Sequence, residues 1–257
     1  MSKMVKRRVK KRIPKLPRKL LFIPSSDKDF IETWKQKGSN PDPLNIPASF
    51  RQCILGGVGK GKTMFIKNQI IRTKPPFQRI FVFHQDRMAQ EYNDIDAEIL
   101  DELPSNDFWM GYEDDEDEGE KEDEDEEDMV RPKTLIILDD ICFGNLPKEQ
   151  TMRLDRLCGM ISSHCNVTIC CINQDFFALN PIVKKCANIF VLYKPNCTDE
   201  LKTIARRCGM TSKELEFLFD NIATGENDSI MIDKTPGTPY PLRLNGFTPI
   251  NKPKNYM

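Results

Sequence analysis

Continuous apolar runs alternate with longer segments of mixed polarity along the middle of this 257-residue chain. A run of about four to eight apolar residues is typical of a strand that is buried on both faces of a sheet. The mixed segments between the runs have the length of crossover helices, so the alternation favours a parallel sheet with helices on both faces. The predicted strands are 51–55, 80–84, 134–140, 167–173 and 188–193.

The mixed segments carry the helix signals. Lys74-Pro75-Pro76 stops the first predicted helix, because proline lacks the N–H that a helix interior needs. Near the end of the chain, 229–233 and 241–245 predict a small terminal pair of strands. The predicted helices are 62–72, 87–102, 148–163, 198–208 and 211–220.

Charge is strongly segregated, although the net charge of the chain is only −1. Residues 113–128 hold 14 acidic side chains and one lysine, which leaves 37 Lys and Arg against 25 Asp and Glu elsewhere. Ten of the first 19 residues are Lys or Arg. A basic body of this kind suits a protein that contacts nucleic-acid phosphates.

These shifts in composition predict the domain organisation. Residues 1–20 are expected to be a disordered basic arm, and 21–49 a leader that contains several prolines. Residues 50–257 form the folded domain, interrupted by a disordered acidic insertion at about 107–131. The run KRRVKKR at 6–12 predicts DNA binding or nuclear import, with a solubilising tail as the alternative. The acidic run is either a tolerated surface insertion or a DNA mimic that occupies a basic channel.

Cysteine usage and apolar runs bear on the compartment. The nine cysteines are odd in number and form no CxxC pair, and there are only two histidines, so we expect reduced thiols inside a cell. No apolar run approaches the ~20 residues of a membrane span. The basic start is not followed by an apolar stretch, so it does not predict a secretory signal.

The stretch Gly56–Thr63 matches the phosphate-binding pattern G-x4-G-K-[ST] between a predicted strand and a predicted helix. Its glycines allow successive backbone N–H groups to face one anion, and the helix N-terminus adds its dipole. Lys62 is predicted to reach the β- and γ-phosphates of ATP, and Thr63 to ligate Mg²⁺. The predicted nucleotide-binding residues are Gly56, Gly57, Val58, Gly59, Lys60, Gly61, Lys62, Thr63 and Met64.

Polar residues follow two later strands, where parallel strands would bring them to the same edge. Asp139 ends an apolar strand and is predicted to hold Mg²⁺ through its water shell. Asp140 is predicted to polarise the attacking water, with a helix N-cap or a turn former as the alternative role. Gln174, or Asn173 beside it, is predicted to contact the γ-phosphate, with an ordinary strand-exit turn as the alternative.

Two other nucleotide-dependent classes fit poorly. The guanine-reading NKxD pattern of GTPases is absent, since Asn251-Lys252-Pro253-Lys254 lacks the final Asp. A small-molecule kinase would need an acceptor pocket and a mobile Arg-rich lid, and the sequence has no convincing candidate for either. The pattern therefore favours an α/β P-loop NTPase whose nucleotide is ATP.

Five segments taken in order resemble the FtsK/HerA-type genome-packaging ATPases of double-stranded DNA viruses. The resemblance is nearest to the poxvirus-type enzymes and to their relatives in virophages and Polinton-like elements. It covers about residues 50–245. The segments are LGGVGKGKT, FVFHQD, LIILDDI, HCNVTICCINQDFFAL and PIVKKCANIFVLY.

The resemblance implies a P-loop core with an additional strand, assembled as a homo-oligomeric ring that hydrolyses ATP to push duplex DNA into a capsid. It implies the roles given above for Lys62, Thr63, Asp139, Asp140 and Gln174. One departure concerns the arginine that many relatives carry before the residue matching His164, because Ser163 stands there. The candidates for an arginine acting on a neighbour's site are Arg153, Arg156, Arg206 and Arg207, each of which could instead belong to a solvated helix face.

The sequence therefore predicts an ATP-driven duplex-DNA translocase that packages a viral genome, with ATP and Mg²⁺ as cofactors. Expected partners are double-stranded DNA, a capsid or portal component and further copies of the chain, without a membrane. The expected location is an infected host cell, at a nuclear or cytoplasmic assembly site, and also the virion. The alternatives are a replication helicase or other nucleic-acid motor, and a non-enzymatic ATP-binding assembly or regulatory factor.

Overall fold

The computed structural model describes residues 46–47, 49–84, 90–110 and 131–250. The predicted basic arm, almost all of the predicted leader and the acidic run lie outside the described residues. No helix within the described part is long and apolar enough to cross a membrane.

One nine-stranded sheet organises the described residues. Four neighbouring strands in the middle of the sheet are rich in apolar residues and are buried on both faces, as the alternation of the sequence predicts. In chain order the strands are β1 (Arg51–Leu55), β2 (Arg79–His84), β3 (Glu98–Leu100), β4 (Thr134–Asp139), β5 (Val167–Asn173), β6 (Ile189–Tyr193), β7 (Ser229–Asp233), β8 (Leu242–Leu244) and β9 (Thr248–Pro249).

The strand order across the sheet is β3-β2-β4-β5-β1-β6-β7-β8-β9. The first six strands in this order run parallel to one another. The remaining strands, β7, β8 and β9, continue the sheet in antiparallel pairs. Strand β5 lies between β1 and β4, which confirms the predicted additional-strand α/β fold. This order brings the ends of β1, β4 and β5 together at one edge of the sheet. The predicted terminal strand pair is also confirmed, as β7 and β8.

Helices pack on both faces of the sheet, and four of the five predicted helices are confirmed. The predicted 148–163 helix is continuous, but its middle is a π-helical turn at Leu157–Ile161. Single-turn 3₁₀ helices occur at Gln90–Tyr92 and Phe143–Asn145. The α-helices are α1 (Lys62–Arg72), α2 (Asn106–Met110), α3 (Lys148–Arg156), α4 (Ser162–His164), α5 (Pro181–Cys186), α6 (Thr198–Arg207) and α7 (Ser212–Asn221).

The predicted helix at 87–102 is wrong. Its described part contains the 3₁₀ turn and then β3, which pairs in parallel with β2. Ile95, Ala97 and Ile99 are partly buried, whereas Asp96 and Glu98 between them are exposed. This period of two is the signal of a strand, and it outweighs the helix propensity of the acidic residues.

The acidic insertion begins later than the predicted residue 107. Trp109 in α2 is 7% exposed, and its ring meets the Phe81 ring edge-on at a centroid distance of 5.5 Å. Residues 106–110 therefore belong to the packed domain. The acidic run itself lies outside the described residues.

The core has two parts because successive side chains of a strand face opposite sides of the sheet. Ile136 and Leu138 of β4 join the larger cluster, which includes residues of α3, α6 and α7. Leu135 and Ile137 join the smaller cluster, which includes Phe65 and other residues of α1. All nine cysteines are free, in agreement with the predicted reduced thiols.

Candidate nucleotide-binding site

A glycine-rich loop joins the end of β1 to the start of α1. Gly59 and Gly61 have φ values of 74° and 86°, in the left-handed region that glycine adopts at little cost. Gly61 is the N-cap of α1, and no described side chain accepts a hydrogen bond from the first turn. The N–H groups of that turn therefore point to a position where an anion can accept them. The structure forms the loop at the edge of the sheet where the sequence predicts the phosphate site.

Tyr193, at the end of β6, packs against the backbone of this loop. A Cβ atom added to Gly56 would lie 2.6 Å from the Tyr193 Cβ, a distance at which one of the two groups must move. A Cβ on Gly61 would lie 3.9 Å from the Tyr193 hydroxyl. The loop backbone thus rests against Tyr193, and only glycine fits at position 56.

We expect Gly56→Ala to lower the affinity for ATPγS about tenfold or more, because overpacking of this kind costs about 1–3 kcal/mol. Gly159→Ala is the matched control, since a Cβ added there meets no atom within 4 Å. Nucleotide affinity is measured by titration calorimetry and the melting temperature in parallel. Equal affinities for Gly56→Ala and the wild type would contradict the close contact with Tyr193.

The Lys62 ammonium is held inside the loop. Its Nζ donates hydrogen bonds to the carbonyl oxygens of Gly56 at 2.9 Å and Gly57 at 3.0 Å. Burial lowers the pKa of Lys62, and the nearby Asp140 and Asp139 carboxylates oppose that shift. Both carboxylates, which follow or end β4, therefore act electrostatically on the lysine of the loop.

Asp139 ends β4 and is 6% exposed. Its Oδ2 accepts a hydrogen bond of 2.6 Å from the Tyr92 hydroxyl. Burial raises the pKa of Asp139, and the Tyr92 hydrogen bond opposes this shift. Ligand atoms of His84, Glu91 and Asp139 lie within 4.8 Å of one another. Carboxylate oxygens suit Mg²⁺, so the Asp139 side chain could ligate this ion, and Thr63 as a second ligand stays a prediction.

Asp140 and Gln174 meet at the same edge of the sheet. Gln174 Nε2 donates to Asp140 Oδ2 at 3.1 Å, and the Asp140 N–H donates to the Ile172 carbonyl at 3.1 Å. Asp140 has φ 48°, an uncommon conformation for a residue other than glycine. It does not cap a described helix, because the next one begins after Cys142. The N-cap alternative for Asp140 is therefore wrong, whereas its left-handed backbone in a bend after β4 agrees with the turn-former alternative.

Asn173 has a structural role in this arrangement. It is 7% exposed, and its Oδ1 accepts the Asp175 N–H at 3.1 Å. Its carbonyl oxygen accepts the Gly56 N–H at 3.3 Å, which ties β5 to the start of the loop. Of the two residues predicted to contact the γ-phosphate, Gln174 is the one whose side chain meets Asp140.

The four candidate arginines differ in their surroundings. Arg153 donates to the Leu103 carbonyl at 2.7 Å and pairs with Glu149, so its guanidinium is occupied within its own chain. Arg156, Arg206 and Arg207 are exposed on helices. At the departure from the family pattern, Ser163 Oγ accepts a 2.7 Å hydrogen bond from Arg51, and His164 is exposed at the end of α4.

Sequence reasoning missed Tyr92 and Tyr193. Tyr92 contacts a residue 47 positions away, and Tyr193 lies far along the chain from the loop that it supports. Both contacts depend on strand order, so no local pattern could indicate them. An aromatic residue within or beside an apolar strand reads as core, which both of these residues also are.

Several solved structures resemble the chain at low identity. The genome-packaging NTPase B204 from Sulfolobus turreted icosahedral virus 2, in complex with ATPγS, is 14% identical, with a TM-score of 0.49 over 79% of this chain and 99% of that one. The pCW3 conjugation coupling protein TcpA is 9% identical, with a TM-score of 0.46 over 73% and 58%. ATPases 2 and 3 of EssC from Geobacillus thermodenitrificans are 12% identical, with a TM-score of 0.39 over 60% and 34%.

B204 is a viral genome-packaging NTPase, the class of protein that the sequence motifs resemble. No protein-family model and no curated protein sequence matches the chain. These structural likenesses are distant, and the function proposed below therefore follows from the residues of the site.

Proposed function

We propose that this protein is an ATPase that translocates duplex DNA and packages a viral genome into a capsid. The observation that carries the proposal is the contact between Asp140 and Gln174 beside the glycine-rich loop. It requires β5 to lie between β1 and β4, and it joins a carboxylate and an amide at the edge where the phosphates of ATP would lie. Such a pair can orient water for attack on a γ-phosphate.

Each residue of the site has its own role in the proposed hydrolysis of ATP. The loop N–H groups receive the phosphates, and the Lys62 ammonium exchanges its carbonyl partners for β- and γ-phosphate oxygens. Asp139 and Thr63 would hold Mg²⁺, which neutralises charge that develops on the phosphates. Asp140 accepts a hydrogen bond from the attacking water, and Gln174 fixes the Asp140 carboxylate and senses the γ-phosphate.

A candidate site for the nucleoside lies beside the loop. A cavity of about 340 Å³ is lined by apolar Phe219 and Ala223 and by charged side chains, which are those of Lys60, Lys194, Asp220, Glu226 and Asp228. Lys60 Nζ donates to the Glu226 carbonyl oxygen at 3.4 Å, so the glycine-rich loop and the segment before β7 form its two walls. Because the base is attached to the phosphates through the ribose, we assign the base to this cavity.

A group of basic residues supports DNA as the partner. Burial and the nearby Arg207 lower the pKa of Lys184, and Lys234 Nζ donates to the Arg207 carbonyl at 3.0 Å. Within the described residues, none of these three cations has a carboxylate at ion-pair distance. The Asp175 carboxylate opposes the fall in the pKa of Lys184. Cations that lack a carboxylate at ion-pair distance attract backbone phosphates without reading the base sequence. The proposal also includes assembly of several copies as a ring, binding to a capsid or portal component, and a location in an infected host cell.

The two alternatives make different demands on the site. A non-enzymatic ATP-binding factor needs the loop but gains nothing from a carboxylate and amide pair placed for water. A replication helicase would use the same site, but it would act at a fork. A packaging motor acts on duplex DNA that has no fork.

The proposal is tested by ATP hydrolysis with and without long duplex DNA, in the wild type and in Lys62→Ala. We expect duplex DNA to stimulate the wild type and Lys62→Ala to be inactive in both conditions. Stimulation by forked DNA alone would favour the helicase, whereas ATP binding without DNA-dependent turnover would favour the assembly factor.

A further inference from the structure

The Tyr92 hydroxyl engages one oxygen of the proposed metal-binding carboxylate. Its distance of 2.6 Å from Asp139 Oδ2 is in the range of a charge-assisted O–H···O⁻ hydrogen bond. Tyr92 is 2% exposed and Asp139 is 6% exposed, so little water competes for either group. The hydrogen bond restricts rotation of the carboxylate, beside which ligand atoms of His84 and Glu91 also lie.

The ring of Tyr92 is anchored on the same side of the sheet as the helix of the glycine-rich loop. It belongs to a core cluster with Phe65 and Ile66 of α1 and with Leu135 and Ile137 of β4. The 3₁₀ turn Gln90–Tyr92 supplies the backbone. The Tyr92 side chain therefore belongs to the same buried cluster as residues of the helix that starts at Lys62 and of the strand that ends at Asp139.

We propose that Tyr92 is a positioning residue, which orients the Asp139 carboxylate for the divalent cation that accompanies ATP. This inference rests on the proposed function, because it takes Asp139 as the carboxylate that faces the metal. A phenylalanine would fill the same core volume, so packing alone does not require the hydroxyl. Outer hydrogen-bond partners of metal ligands fix the orientation of the ligand and raise metal affinity.

The test is Mn²⁺ binding to the full chain in the presence of ATPγS. Binding is measured by electron paramagnetic resonance, as the decrease in the signal of free Mn²⁺. We expect Tyr92→Phe to raise the Mn²⁺ dissociation constant about tenfold or more, the usual cost of losing such a partner. ATPγS affinity in EDTA should not change, because without the metal the carboxylate that Tyr92 orients has no cation to hold.

Two further variants separate positioning from a structural role. Ser162→Ala removes a buried hydroxyl that accepts a hydrogen bond from Arg51, outside the nucleotide site, and it should leave Mn²⁺ binding unchanged. In an Asp139→Asn background, Tyr92→Phe should cause no further loss of Mn²⁺ affinity, because the charged acceptor is already gone. This comparison remains informative even if Tyr92→Phe lowers the melting temperature.

The inference is overturned if folded Tyr92→Phe binds Mn²⁺ as tightly as the wild type. It is also overturned if the losses from Tyr92→Phe and Asp139→Asn are fully additive. A wild type that binds no Mn²⁺ with ATPγS would instead contradict the proposed metal site itself, so the two failures are distinguishable.

Discussion

Asp140→Asn is expected to lower the ATP turnover rate about 10²- to 10⁴-fold, the range of a lost general base. Asparagine has the shape of aspartate but cannot take a proton from the attacking water. ATP affinity should be retained, because the loop N–H groups and Lys62 hold the phosphates. The measurement is kcat with saturating ATP and duplex DNA, together with ATPγS affinity.

The control for this variant is Asp199→Asn, which removes an exposed carboxylate on α6 that pairs only with Lys202. It should leave kcat unchanged. A fall in ATP affinity with an unchanged kcat would assign Asp140 to nucleotide binding. A turnover rate within a few-fold of the wild type would contradict the role of Asp140 as the base.

Asp233→Ala is expected to have the largest effect on stability. Asp233 and Arg243 form an ion pair of 3.1 Å between β7 and β8, and both side chains have 0% exposure. Asp233→Ala removes the carboxylate that pairs with the Arg243 guanidinium while that charge stays buried, and breaking a buried pair in this way costs about 3–5 kcal/mol. The measurement is the free energy of unfolding from urea titrations.

Two controls test whether the buried pair is the cause. Asp220→Ala breaks the exposed pair with Lys194 and should cost about 0–1 kcal/mol. A double variant, Asp233→Leu with Arg243→Met, removes both charges and should be more stable than Asp233→Ala alone. An unfolding free energy for Asp233→Ala that equals that of Asp220→Ala would show that the two charges are not buried together.

The sequence was sufficient where a pattern has one physical cause. Apolar runs predicted β1, β4, β5 and β6, because a strand buried on both faces is mostly apolar on both of them. The glycine pattern placed the phosphate loop, and the polar residues after two strands predicted the meeting of Asp140 with Gln174. In each case the evidence was local, or it followed from the rule that parallel strands end at one edge.

The rest depended on contacts between distant parts of the chain. Residues 95–100 carry both helix propensity and alternation, and pairing of β3 with β2 decides between them. From the sequence alone, Arg153 is as good a candidate as the other three arginines, but the Leu103 carbonyl and Glu149 occupy its guanidinium. In the sequence, nothing distinguishes Tyr92 from other aromatic residues of the core, because its contact with Asp139 depends on the fold.

The most direct test of DNA translocation is displacement of a third strand annealed to a long duplex. With ATP, the wild type should release the third strand after a delay that grows with the length of duplex between the entry end and the triplex. Lys62→Ala, which keeps the basic surface but lacks the lysine of the phosphate loop, should not release it. ATP hydrolysis by the wild type with no release above the Lys62→Ala background would contradict translocation.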